Sequence, residues 1–135
     1  DEVEMLKLLY RSLRALESPH IPKELVRVVF ELKAITINGE GPSVFECMHC
    51  HKTEGLSYFS VRRGGMFCEE CAKQVQGRKI LDSTRYTLQF VISTPVEKLY
   101  SFTVSDEVLE ELKSIMREYM AFYVHHEFKS LQIFG

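Results

Sequence analysis

Four amphipathic segments, two Cys-x-x-Cys pairs and an aromatic, glycine-containing run between those pairs predict a mainly α fold: a helical bundle domain with an inserted four-cysteine metal finger carrying a short β-hairpin. At 135 residues and 45% hydrophobic content the chain has enough apolar material for one core. No linker or low-complexity run divides it.

The first helix is marked by Val3, Leu6, Leu9, Tyr10, Leu13 and Leu16, which recur every three or four positions and so share one helical face. Ser18-Pro19 stops it. A second helix is expected from Pro22-Lys23, because proline is tolerated in a first turn, with Leu25, Val28, Val29, Leu32 and Ile35 on one stripe and Asn38-Gly39 as its end signal. After the cysteine region, Ala72 to Val75 extend the second pair as a helical turn. Ser83 is read as the cap of a helix carrying Tyr86, Leu88, Phe90 and Val91, ended by Thr94-Pro95. The strongest helix follows. Ser105 is its N-cap, Asp106 and Glu107 sit at the positive end of the dipole, and Val108, Leu112, Ile115, Met116, Tyr119 and Tyr123 form the buried stripe, reaching His125 or Phe128. Its other face carries Glu110, Glu111, Lys113, Arg117 and Glu118 and reads as solvated.

Cys47/Cys50 and Cys68/Cys71 are all the cysteines of the chain, with seventeen residues between the pairs. Each pair can bend into a knuckle presenting two thiolates about 2.3 Å from a shared Zn²⁺. The intervening Leu56-Ser57-Tyr58-Phe59-Ser60-Val61, the turn Arg62-Arg63-Gly64-Gly65 and Met66-Phe67 form one hairpin, too small to be stable without its metal. The expectation is a four-cysteine zinc finger inserted at about 44–76. With all four positions taken by thiolates, no open position remains for water, so the zinc is expected to be structural. His49 and His51 lie inside the first knuckle and could in principle substitute as ligands, against the bland reading of exposed turn histidines.

Two disulfides would need an oxidising compartment, yet there is no signal-peptide core and no 18-residue apolar run, so a reducing, cytoplasmic home is expected. A thioredoxin-type centre would follow a strand of a βαβ unit, whereas Cys47 follows the turn-rich Asn38-Gly39-Glu40-Gly41-Pro42. Lys and Arg total 17 against 19 Asp and Glu, a formal charge of −2 that argues against strong nucleic-acid binding by this chain alone. No phosphate-binding glycine loop and no nucleophile and base pair are evident, so no enzyme is expected. The opening at Asp1 without methionine reads as a trimmed piece of a longer polypeptide.

Several separated motifs occur in an ordered series. Phe30-Glu31-Leu32 precedes Gly39 and Pro42; Cys47 and Cys50 follow; then come Tyr58-Phe59-Ser60, Gly64-Gly65, Cys68 and Cys71, and Lys129-Ser130-Leu131 near the end. In this order they resemble the C-terminal portion of the RecO family, bacterial DNA-repair and recombination mediators, over nearly all of the chain. The resemblance implies that residues 1–135 are a RecO-like C-terminal domain, and that the family's N-terminal OB-fold domain, suited to single-stranded nucleic acid, is absent from this chain. It further implies a whole protein that binds DNA mainly through that OB-fold, docks the acidic, Phe-ended tail of single-stranded-DNA-binding protein, anneals strands, and with RecR helps load recombinase in the RecFOR pathway, in a nucleoid-associated setting. Some family members lack the cysteines, which confines zinc here to a local structural role.

Two surfaces are singled out. Arg27, one turn before Phe30, stands where the family carries a basic residue and is the candidate cation of the tail-docking site; the bland reading is an exposed arginine paired with Glu24 or Glu31. Arg62 and Arg63 at the hairpin tip are candidate DNA contacts, against the bland reading of solvated turn residues. The alternative to a mediator fragment is a zinc-stabilised protein-interaction module of an unrelated assembly.

Overall fold

A computed structural model describes the backbone of residues 1–134 and the side chains of residues 1–126. The Lys129-Ser130-Leu131 run lies outside the described side chains. The chain folds in the order α1 (Glu2–Leu16), α2 (Lys23–Ile37), β1 (Leu56–Ser60), β2 (Gly65–Cys68), α3 (Glu69–Ala72), β3 (Arg78–Lys79), α4 (Asp82–Ser93), a 3-10 turn over Val96–Lys98, and α5 (Asp106–Phe134). The expected class holds: a helical bundle interrupted by a small β insert.

The central element is α2, which packs against α1, α4 and α5. Its expected stripe of Leu25, Val28, Val29, Leu32 and Ile35 is buried, joined by Val26 and Lys33. Gly39, at φ +82°, takes the left-handed conformation that ends the helix, and Glu40 N donates back to Ile35 O at 2.8 Å. In α5, Val108, Leu112, Ile115, Met116 and Tyr119 are buried and Tyr123 is half-buried. Ser105 Oγ accepts from Val108 N at 3.2 Å, as an N-cap should. The helix runs on to Phe134, past the expected stop.

In α1 the outcome differs from the apolar pattern. The helix forms, capped by Asp1 Oδ1 accepting from Val3 N at 2.8 Å, but Val3, Leu6, Leu9, Tyr10, Leu13 and Leu16 are all exposed. Leu8, Ser12 and Ala15 are buried instead. At about 100° per residue, those three lie nearly opposite Val3, Leu6, Tyr10 and Leu13. Which side is buried depends on what α1 meets, here α2 and the 3-10 turn. A small residue on the inner face leaves room for a polar contact: Ser12 Oγ lies 2.6 Å from the Tyr100 hydroxyl.

Four smaller expectations are corrected. Ser83 does not cap α4; the helix starts at Asp82, and Glu111 of α5 reaches over to accept from Leu81 N at 2.8 Å. In α4, Leu88 and Val91 are buried whereas Tyr86 is exposed. The helical turn expected at Ala72–Val75 lies earlier, over Glu69–Ala72 directly out of β2, and Lys73 to Val75 follow it as a turn. The polar face of α5 is also more than solvated surface, since Lys113 pairs with Glu24 of α2 at 3.2 Å and Glu118 with Arg78 at the same distance.

In the insert, β1 and β2 pair antiparallel with Tyr58 opposite Phe67, Phe59 opposite Met66 and Ser60 opposite Gly65. A strand absent from the sequence reading, β3, pairs antiparallel on the other edge, giving the order β2-β1-β3. Two residues are too few to show any alternation, so β3 has no sequence signal.

Candidate metal centre

The two cysteine pairs meet because the chain returns to the first loop through the hairpin. Ser43 bridges in parallel to Gly65, donating to Gly64 O and accepting from Met66 N, each at 2.9 Å. This lays the segment before Cys47 along β2, whose last residue is Cys68. Both glycines of the turn are needed. Gly64 has φ +80°, and a Cβ on Gly65 would collide with the Ser43 carbonyl and sit 2.6 Å from Met48 Sδ. The first loop is then closed on itself by Cys47 N donating to Lys52 O at 2.8 Å and His51 N donating to Cys47 O at 2.9 Å. His51 takes the left-handed conformation, φ +66°, that lets the loop turn away after Cys50. His49 and His51 are exposed, as the sequence suggested, and His51 Nδ1 lies 3.4 Å from Glu46 Oε1.

The Sγ atoms of Cys47, Cys50, Cys68 and Cys71 all lie within 4.8 Å of one another, and none is in a disulfide. Cys50 Sγ and Cys68 Sγ are 3.9 Å apart. A tetrahedron with metal–sulfur bonds of about 2.3 Å has edges of about 3.8 Å. The cluster can therefore hold a metal ion with little adjustment. Cys47 and Cys68 are buried, Cys71 is half-buried and Cys50 is exposed.

The local field favours thiolate at Cys47 and Cys68. Burial pushes the Cys47 thiol up, but backbone hydrogen bonds at Cys50, Cys68 and His49 outweigh it and hold it at about 6. At Cys68 the backbone hydrogen bond at Cys71 lowers the thiol pKa against burial. Cys71 goes the other way, to about 12, through burial and hydrogen bonding with the other three sulfurs. Four thiols so close cannot all ionise without a compensating cation, and a divalent ion supplies that compensation.

Several contacts tie this insert to the bundle, the Arg78–Glu118 pair among them. Gln89 Nε2 of α4 donates to Val44 O at 2.8 Å, Tyr119 of α5 donates to Glu40 O at 2.8 Å, and Arg78 of β3 donates to Ser114 Oγ at 2.8 Å. Neither Gln89 nor Arg78 stands out in the sequence, because each acts through a partner far along the chain.

The family model described as "Recombination protein O C terminal" matches residues 1–132. The chain belongs to the RecO C-terminal family. Its curated relatives include the DNA repair protein RecO of Caldanaerobacter subterraneus subsp. tengcongensis, 32% identical over 88% of this chain and 49% of the relative. RecO of Acetivibrio thermocellus is 33% identical over 86% of this chain and 47% of its own length, and RecO of Clostridium novyi 28% over 98% and 52%. The chain thus spans about half the length of the RecO proteins it matches. No solved structure matches it. Membership ties the chain to DNA repair and recombination. Among the described residues no helix is long and apolar enough to cross a membrane.

The other residues singled out from sequence lie apart from the sulfurs. Arg27 is on the exposed side of α2, its side chain 80% exposed, with Nε 3.5 Å from Glu31 Oε2. Phe30 is half-buried one turn on. Both line an apolar groove between α1 and α2, about 240 Å³ in volume, walled by Leu9, Leu13, Leu16 and Val26, with Lys23 also lining it. Arg62 and Arg63 are exposed at the hairpin tip. The Arg63 guanidinium stands 5.7 Å from the Phe67 ring centroid, and Arg62 borders a cleft shared with Arg78 and Glu118.

Proposed function

We propose that this chain is the C-terminal, zinc-stabilised docking scaffold of a RecO-type recombination mediator, acting without chemical turnover. Zn²⁺ is held by Cys47, Cys50, Cys68 and Cys71, and its role is to fix the hairpin against the bundle; an all-thiolate, tetrahedral set is the chemistry zinc prefers. In the intact protein an N-terminal OB-fold domain carries most of the DNA affinity. This half docks the tail of single-stranded-DNA-binding protein, and the assembly works with RecR in strand annealing and recombinase loading, on the nucleoid in the cytoplasm.

The observation that carries the docking role is the groove between α1 and α2. It combines a nearly wholly apolar wall with the cations Arg27 and Lys23, which suits an acidic peptide ending in an aromatic side chain. Phe30 offers the ring packing and Arg27 the carboxylate contact. The Arg27–Glu31 contact is long, 3.5 Å, and the Arg27 side chain is 80% exposed, so the pair holds the arginine only weakly and a carboxylate ligand can take Glu31's place. Arg62 and Arg63 serve as a secondary contact to DNA phosphates.

Fluorescence anisotropy with a labelled tail peptide tests the groove. Arg27→Ala is expected to weaken binding by roughly ten-fold, the loss of one charge-assisted contact worth about 1.5 kcal/mol, and unchanged affinity would remove Arg27 from the site. For the hairpin tip, the Arg62→Ala/Arg63→Ala protein should show weaker DNA binding and a shallower salt dependence, while an unaltered slope would discard that contact.

A further inference from the structure

The two arginines at the hairpin tip part company. Arg63 stands over the Phe67 ring, whereas Arg62 borders a cleft of about 400 Å³ between the hairpin, the chain entering β3, and α5. Arg78 lines the same cleft and is fixed from one side: its Nη1 donates to Ser114 Oγ at 2.8 Å and to Glu118 Oε1 at 3.2 Å. Among the described residues, Nε and Nη2 of Arg78 and the side-chain amide of Gln76 have no hydrogen-bond partner, and Arg62 has no ion pair. Gln76 lines the cleft too, and half-buried Val61 and Val75 supply its apolar walls. Two cations thus face one carboxylate, Glu118, which is already paired.

We infer that this cleft seats a phosphodiester group of a nucleic-acid strand, with Arg62 and the unused edge of Arg78 as its cations and Gln76 as an amide donor. The inference deepens the reading of the hairpin tip as a DNA contact and rests on it. An arginine anchored by other side chains presents its remaining N–H groups in a fixed direction, which is what a phosphate seat needs. Two arginines from separate segments can each take one non-bridging oxygen of a phosphodiester, whereas a carboxylate fills a single guanidinium fork. Arg62 lies between the cysteine pairs and Arg78 shortly after the second, so the contacts that fix the insert also fix the spacing of the seat. Arg63, turned to Phe67, stays outside it.

Fluorescence anisotropy of a labelled single-stranded oligonucleotide with the zinc-loaded 135-residue chain at low salt tests the seat. Arg62→Ala and Arg78→Gln are each expected to weaken binding by roughly ten-fold and to reduce the salt slope by about one, with zinc content equal to the parent's, while Arg63→Ala changes neither. Glu118→Gln separates contact from bracing. It breaks the ion pair that helps to hold Arg78 and also removes a negative charge beside the phosphate, so the seat requires several-fold tighter binding. Unchanged or weaker binding would mean that Arg78 acts only by bracing the insert, and would overturn the inference. Loss on Arg63→Ala with none on Arg78→Gln would put the contact at the tip, leaving the DNA reading intact and the seat refuted. No effect from any of the three arginine substitutions, or no binding by the parent chain, would sink both. A competition arm separates the two sources of phosphate. Millimolar inorganic phosphate, exchanged for chloride at constant ionic strength, should leave the oligonucleotide bound; displacement would assign the cleft to a free phosphate ligand and overturn the strand.

Discussion

The phenol of Tyr119 donates to the carbonyl of Glu40 at 2.8 Å, joining the middle of the longest helix to the loop that leads into the first cysteine pair. The same ring lies 6.2 Å from Phe59 of the hairpin, so one side chain braces both arms of the metal insert against the bundle. Tyr119→Phe keeps the ring and removes the donor. A loss of about 1 kcal/mol is expected in urea unfolding, with the metal retained; a variant as stable as the parent would show the hydroxyl contributes nothing.

Alkaline pH should act through the same residue and through Tyr100. Burial, followed for Tyr119 by the nearby Glu40 charge, raises both phenols above the ordinary 10. Above that pH the folded chain holds protons that the unfolded chain has released. Their contribution to stability is therefore complete below pH about 10 and declines as pH rises through the folded-state values. Ultraviolet titration of the tyrosines should show a late-titrating group lost in Tyr119→Phe.

Chelation should dismantle the insert. Structural zinc sites of this kind contribute on the order of 10 kcal/mol in apparent terms, and the β1–β2 hairpin is by itself too small to persist alone. Elemental analysis is expected to give one zinc per chain, and a strong chelator or Cys47→Ser to lower the melting temperature and loosen the hairpin. A chain with no near-stoichiometric zinc, or one whose fold is indifferent to chelation, would refute the structural role.

Glycine substitutions in the insert should differ in kind. Gly65→Ala forces a Cβ onto the Ser43 carbonyl and Met48 and should cost about 1–3 kcal/mol, with weakened metal retention. Gly55 has φ +68° but open space around it, so Gly55→Ala should cost only the backbone strain of about 1–2 kcal/mol and leave metal affinity unchanged. Denaturant melts and a competitive zinc assay distinguish the two.

Lys33 is buried on α2, and its ammonium donates to Ile92 O at 3.0 Å and Thr94 O at 2.7 Å. It closes the C-terminal end of α4 as a cap would. Lys33→Met keeps the stem and strands two carbonyls, which should cost about 1–3 kcal/mol in urea unfolding. A neutral result would mean that water replaces the ammonium there.

The local signals in the sequence reached a long way. Apolar periodicity located α2 and α5 together with the faces they bury, because both helices sit in the middle of the bundle and need a full apolar stripe. Two Cys-x-x-Cys pairs with a glycine pair between them located the hairpin and the sulfur cluster, since few other arrangements use four cysteines at that spacing. Where the reading failed, the deciding interaction was distant. The cap of α4 comes from Glu111, 30 residues on from Leu81, and β3 is defined only by its pairing with β1.

Residue order alone thus determined that this chain makes helices around a four-cysteine site, because helical periodicity and thiolate spacing are local properties. Only the tertiary structure decided which side of α1 faces inward, because burial is a property of neighbours and not of the helix itself. That decision left the most regular apolar stripe of the chain, Val3 to Leu13, facing outward, and brought Arg27 and Phe30 to the edge of a groove.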